Sequence, residues 1–165
     1  MRKPVIPCFV FLCMFVLVIG SHKPVEAKKV PNFWISNLEG DRFDTRKHKG
    51  LYVLSFFFVN CVPCIKEIPE LHAMMSKEFP GSKLLFIDPV EDDSKREIAE
   101  FAKKLKIPEA FFYRDSFGSV SKKFFKGQFA FPTILGVSKK RLIFRHSGID
   151  EDIKEDIREK LMNQG

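Results

Sequence analysis

Nine consecutive residues, Leu51 to Val59, are apolar except for Ser55. A run that does not alternate predicts a strand covered on both faces, the kind found in parallel sheets. The period then changes. Ile65, Ile68, Leu71, Met75 and Phe79 recur every three or four residues and predict a helix from about Val62. Pro69 should kink that helix, and Pro80-Gly81 should end it. Residues 83–88 predict a second buried strand. Ser94 to Lys106 predicts an amphipathic helix, with Ser94 as cap and Ile98, Phe101, Ala102 and Leu105 on one stripe. Phe111-Phe112-Tyr113 predicts a short edge strand, and 119–125 a short helix. Thr133–Val137 and Leu142–Phe144 predict paired strands around the loop 138–141. Asp150 should cap a last helix carrying Ile153, Ile157 and Leu161. Upstream, 33–44 predicts a hairpin turning at Asn37–Asp41, with Trp34 as a core plug. Strand, helix, strand, helix, then hairpin and helix, predicts an α/β domain: a mixed central sheet flanked by helices.

The first 27 residues follow different rules. Arg2 and Lys3 precede an apolar stretch, Val5 to Gly20, and Val25-Glu26-Ala27 suits a processing site, with Gly20 as the competing one. The stretch is shorter than the roughly 20 residues that span a bilayer. It therefore predicts a cleaved signal peptide at 1–27 rather than a membrane anchor, and a single domain at 28–165. Cys8 and Cys13 fall in the signal and read as apolar filler. Loss of Arg2, Lys3, Lys23 and Glu26 lowers the net charge from +7 to +5. The remaining basic residues interleave with acids, so composition does not point to nucleic acid. The Lys122-Lys123 and Lys139-Lys140-Arg141 clusters read as solvated loops.

Two cysteines remain in the domain, in Cys61-Val62-Pro63-Cys64. They stand where the buried strand passes into the helix, where unpaired N–H groups and the helix dipole stabilise a thiolate on the first. A bridge closing so short a loop removes little entropy from the unfolded chain and makes a poor staple. A structural zinc site needs about four ligands, and His48, His72 and His146 are scattered. The spacing therefore points to thiol–disulfide exchange, with Cys61 as the exposed nucleophile and Cys64, one turn further in, as the buried resolving thiol.

The chain resembles the thioredoxin superfamily, and within it the exported TlpA/ResA/CcmG-like branch. The residues that carry the likeness are Cys-x-x-Cys after a buried strand, Pro69 eight positions past Cys61, Phe131-Pro132-Thr133 before a strand, and Gly148 before the last helix. Asn60 stands where the family often has Trp, and Ser55 where thioredoxins proper carry a buried Asp. The resemblance implies a thioredoxin-like fold with an N-terminal hairpin extension. It also implies a cis Pro132, with Phe131, Pro132 and Thr133 receiving an extended substrate. An acid after the second strand, Glu91 or with a shifted alignment Asp93, would accept the proton of Cys64. The implied activity is reduction of protein disulfides outside the cytoplasm, for example in cytochrome c maturation, without a cofactor. Its partners would be disulfide-containing proteins and a membrane-bound electron donor. Membrane contact is expected only through an uncleaved N-terminal segment. The alternative is a copper chaperone using the two thiolates with His146.

Overall fold

The computed structural model describes residues 28–164. The segment expected to be a signal peptide, 1–27, lies outside the described residues. Two strands, β1 (Trp34–Ser36) and β2 (Arg42–Asp44), form the expected hairpin. The main sheet is built from β3 (Tyr52–Phe56), β4 (Lys83–Asp88), β5 (Phe112–Arg114), β6 (Thr133–Ser138) and β7 (Arg141–Ser147), in the order β5-β4-β3-β6-β7. β3, β4 and β5 are parallel, whereas β6 and β7 join antiparallel. This is the mixed sheet the sequence predicted.

Helices α1 (Val62–Glu78), α2 (Lys95–Leu105) and α4 (Glu151–Met162) pack on one face. Alternation along the central strands sorts the side chains between two cores. Val53, Phe57, Leu84 and Phe86 face the helices and join Cys61, Cys64, Ile68 and Ile157. Leu54, Phe56, Leu85 and Ile87 point the other way, onto Phe33, Ile35 and Phe43 of the hairpin region and Phe125. The hairpin and the segment around α3 (Ser121–Phe124) thus cover the second face, which a small domain could not leave bare.

Local signals hold the helices in register. Ser94 and Glu97 make a reciprocal capping box at the start of α2, and the Asp150 carboxylate accepts from Ile153 N–H at α4. Asp115 is buried and accepts from Val120, Ser121 and the Ser119 hydroxyl, which fixes the turn into α3. Pro69 lies inside α1 without ending it. Gly136 is required by packing, because a Cβ there would sit 2.1 Å from the Phe144 ring on the paired strand.

Trp34 departs from expectation. It is 54% exposed, with the Arg42 guanidinium 4.1 Å from its ring centre, and is no core plug. In a two-stranded hairpin only one face is covered, and Ile35 takes the inward position between two outward neighbours.

Candidate active site

The site lies at the C-terminal ends of β3 and β4, where the chain leaves the sheet for α1 and α2. Cys61 is the N-cap of α1 in an extended conformation, and its Sγ accepts from the Cys64 N–H at 3.3 Å. The two residues form a disulfide across a Cα separation of 5.2 Å. The sulfur of Cys61 therefore occupies the place where helix N–H groups and the dipole favour negative charge.

Exposure differs from expectation. Cys61 was expected to be open to solvent, but it is only 1% exposed and Cys64 is fully buried. Cys61 joins the apolar core beneath the helices, and its exposed neighbours are Val62 and Pro63.

The Phe131–Pro132 peptide is cis. Pro132 carbonyl oxygen accepts from Gly148 N–H at 2.9 Å, and the Thr133 hydroxyl donates to Ala130 O at 2.6 Å. Strand pairing starts at Thr133, opposite Phe56, so Phe131 stands outside the ladder. The Phe131 ring meets Phe58 at 5.3 Å and Phe129 at 4.8 Å, and Phe129 stacks on Phe125 at 3.7 Å. Phe125, Phe129 and Phe131 line a cleft of about 620 Å³ together with Lys122, Lys126 and Glu91.

Glu67, one turn past Cys64, ties this loop to the thiol helix. One of its carboxylate oxygens accepts from Ile149 N–H, the other is buried without a partner, and burial raises its pKa. Adjacent amides, Gly148 and Ile149, thus hold Pro132 and α1 together.

The acids are arranged differently from the sequence expectation. Glu91 is exposed and contributes its backbone carbonyl, which accepts from Arg114 Nη2 at 2.8 Å. The burial that would raise its pKa falls instead on Asp88, which is fully buried. Asp88 ends β4 in the same alternation as Leu84 and Phe86, on the sheet face that carries Cys61 and Cys64. Its Oδ1 accepts from Val90 N–H at 2.8 Å, while Oδ2 is buried without a hydrogen-bond partner. Burial, and then the neighbouring Asp93, push its pKa up to about 8. Asp93 in turn accepts from Val59 N–H at 3.0 Å, linking the acids to the loop before Cys61. The parity of Asp88 with Leu84 and Phe86 was the readable signal, because it places a carboxyl on the buried side of a central strand.

His146 lies on β7 with Nε2 2.9 Å from Asp156 Oδ2 and its ring against Phe144. His48 packs among Phe43 and Tyr52, and His72 against Phe111. Among the described residues no group of three or more His, Cys, Asp or Glu is placed to hold a metal ion.

The geometry can be set beside known proteins. The chain is 30% identical over 138 residues to the thiol-disulfide oxidoreductase ResA of Bacillus thuringiensis and of Bacillus cereus, an alignment covering 81% of this chain and 75% of theirs. The chain belongs to the ResA family of thiol-disulfide oxidoreductases. No protein-family model matches it. A secreted Mycobacterium tuberculosis disulfide oxidoreductase superposes with a TM-score of 0.63 at 15% identity, covering 79% of this chain and 95% of that one. The exposed lipoprotein thioredoxin of Streptococcus pneumoniae superposes at 0.64 with 17% identity, over 81% and 99%. At these identities the structures speak for the fold, which is thioredoxin-like. As a ResA-family member with a bonded Cys61–Cys64 pair, the chain is a thiol-disulfide oxidoreductase.

Proposed function

We propose that this ResA-family chain is a dithiol reductant of protein disulfides outside the cytoplasm. The observation that carries the reading is Cys61 at the N-cap of α1, bonded to Cys64, in a chain whose Phe131–Pro132 peptide before β6 is cis. In the reduced protein the Cys61 thiolate attacks a substrate disulfide, forming a mixed disulfide and releasing one substrate thiolate. Cys64 then gives up its proton, and its thiolate attacks the Cys61 sulfur. The second substrate thiol leaves, two electrons have passed to the substrate, and the Cys61–Cys64 disulfide remains.

Asp88 is the group suited to take the Cys64 proton, in place of Glu91. A carboxyl group whose pKa is about 8 is close to an ordinary thiol near 8.5, so proton transfer between them is nearly balanced in either direction. With the disulfide formed, the neutral Asp88 is the donor for Cys64 when a reductant attacks Cys61. Phe131 offers free-standing main chain for an extended substrate, and the Phe125–Phe129–Phe131 cleft takes the apolar residues flanking its cysteines. The apolar leader and the exported proteins of like fold support an extracytoplasmic site of action. There a membrane-bound donor must restore the dithiol, and apocytochrome c is a fitting substrate.

The reduction potential tests the direction. Val62-Pro63 places no cation beside Cys61, so the helix terminus supplies the thiolate stabilisation. Equilibration with glutathione should give a value nearer roughly −270 mV, as in thioredoxin, than the roughly −120 mV of a strong oxidant. A potential above about −150 mV would make the chain a disulfide donor. Cys64→Ser should trap mixed disulfides with substrates, because nothing remains to resolve them.

A further inference from the structure

The end of the molecule opposite the disulfide gathers lysines from separate segments. β3 and β4 begin there, β6 ends and β7 begins there, and α1 and α4 finish there. Lys139 and Lys140 form the β6–β7 tip, both with left-handed backbone, at φ 48° and 62°. The chain's described start runs beside that tip. Leu142 N–H donates to Lys28 O, and Val30 N–H to Lys140 O, each at 3.0 Å. A shallow cleft of about 400 Å³ brings Lys49 and Lys139 together with Leu51, Phe79 and Met162, the last 63% exposed. Lys83 opens β4 at the same end. Of the acids at this end, Glu78 is held by Arg158 at 2.8 Å, and Glu159 in the last turn of α4 is exposed. Glu39, Asp41 and Glu109 lie past the other edge of the sheet, where the hairpin turn meets β5.

We infer that this lysine-bearing end is a docking surface for an anionic phospholipid bilayer. Lys28, Lys83 and Lys140 extend the cations beyond the shallow cleft that holds Lys49 and Lys139, over a broader end than a single acidic peptide would cover. Apolar side chains stand among them at Met162 and Phe79, as headgroup insertion requires. The sequence leading into Lys28 carries the apolar stretch Val5 to Gly20, and Lys28 itself lies beside the β6–β7 tip. Membrane contact thus extends from the N-terminal segment to a face of the folded domain.

Each basic residue near an anionic surface contributes about 1 kcal/mol, which is about a fivefold gain in occupancy. Full-length chain bound to phosphatidylglycerol vesicles or to phosphatidylcholine vesicles would be acetylated with an impermeant reagent and mapped by mass spectrometry. Labelling of Lys49, Lys139 and Lys140 should be at least about fivefold lower on the anionic vesicles. It should recover in about 1 M salt, where the Debye length falls to about 3 Å. Lys122 and Lys126, beside the Phe131 cleft, should label alike on both. The double variant K139E/K140E should lose the protection at Lys49 while keeping its disulfide-exchange rate. Equal labelling on the two vesicle types, or protection indifferent to salt, would overturn the proposal. Protection arising only when an acidic protein is added would overturn it in favour of that class of partner.

Discussion

Replacing Asp88 by Asn should stabilise the oxidised protein at neutral and alkaline pH and leave it nearly unchanged near pH 4. Asp88 is fully buried, has one oxygen without a hydrogen-bond partner, and has its pKa pushed up to about 8 from an ordinary carboxyl value of 3.8. Below 3.8 the folded and unfolded chains both hold the proton, and Asp88 adds no pH dependence. Between 3.8 and about 8 the folded chain keeps a proton that the unfolded chain releases, so stability falls as pH rises. At about 1.36 kcal/mol per unit, the loss reaches on the order of 4 kcal/mol by pH 7. It levels off above the folded-state value. Asn has nearly the same shape, retains a donor for Asp93, and has no proton to lose. Urea denaturation of both proteins at several pH values from 4.5 to 8.5 tests this, with the Asn variant gaining a few kcal/mol at the alkaline end. Stability profiles that run parallel over that range would show that Asp88 does not titrate as its burial requires. The reasoning would then fail, along with the proton-acceptor role built on it. In the same variant, resolution of the Cys61 mixed disulfide should slow if Asp88 receives the Cys64 proton.

Three further outcomes are expected. Alkylation of the reduced protein at neutral pH should modify Cys61 well before Cys64, because Cys61 caps α1; Cys64 reacting first would reverse the roles. Gly136→Ala should lower stability by about 1–3 kcal/mol, the usual cost of overpacking, because the new Cβ would meet the Phe144 ring at 2.1 Å; an unchanged denaturation midpoint would mean that β6 and β7 separate freely. Glu67→Ala should speed hydrogen exchange at the Ile149 amide by releasing its acceptor, whereas Glu67→Gln should preserve protection; equal exchange in the two variants would remove Glu67 from the support of the cis-proline loop.

Elements governed by neighbouring residues were legible in the chain itself. β4 occupies the predicted residues 83–88, and α2 starts at the predicted cap because Ser94 and Glu97 satisfy each other's backbone within one turn. The Cys-x-x-Cys at a strand-to-helix junction likewise needs no distant partner to be read, since the helix terminus that activates Cys61 is local. What sequence alone could not decide depended on which segments meet. Trp34 and Ile35 are both large and apolar, and only the packing of the hairpin on β3 and its neighbours sends one inward and leaves the other beside Arg42. Cys61 is covered because the fold packs it into the core formed by the helices and the central strands. Glu91, Asp93 and Asp88 are similar carboxylates in one short stretch. The sheet buries Asp88, opens Glu91 to solvent and sets Asp93 on the Val59 amide. Desolvation, which raises the Asp88 pKa, is a property of the surrounding fold and not of the residue. Lysines from residues 28 to 140 share one end for a similar reason: strand direction places them there, and sequence separation carries no trace of it.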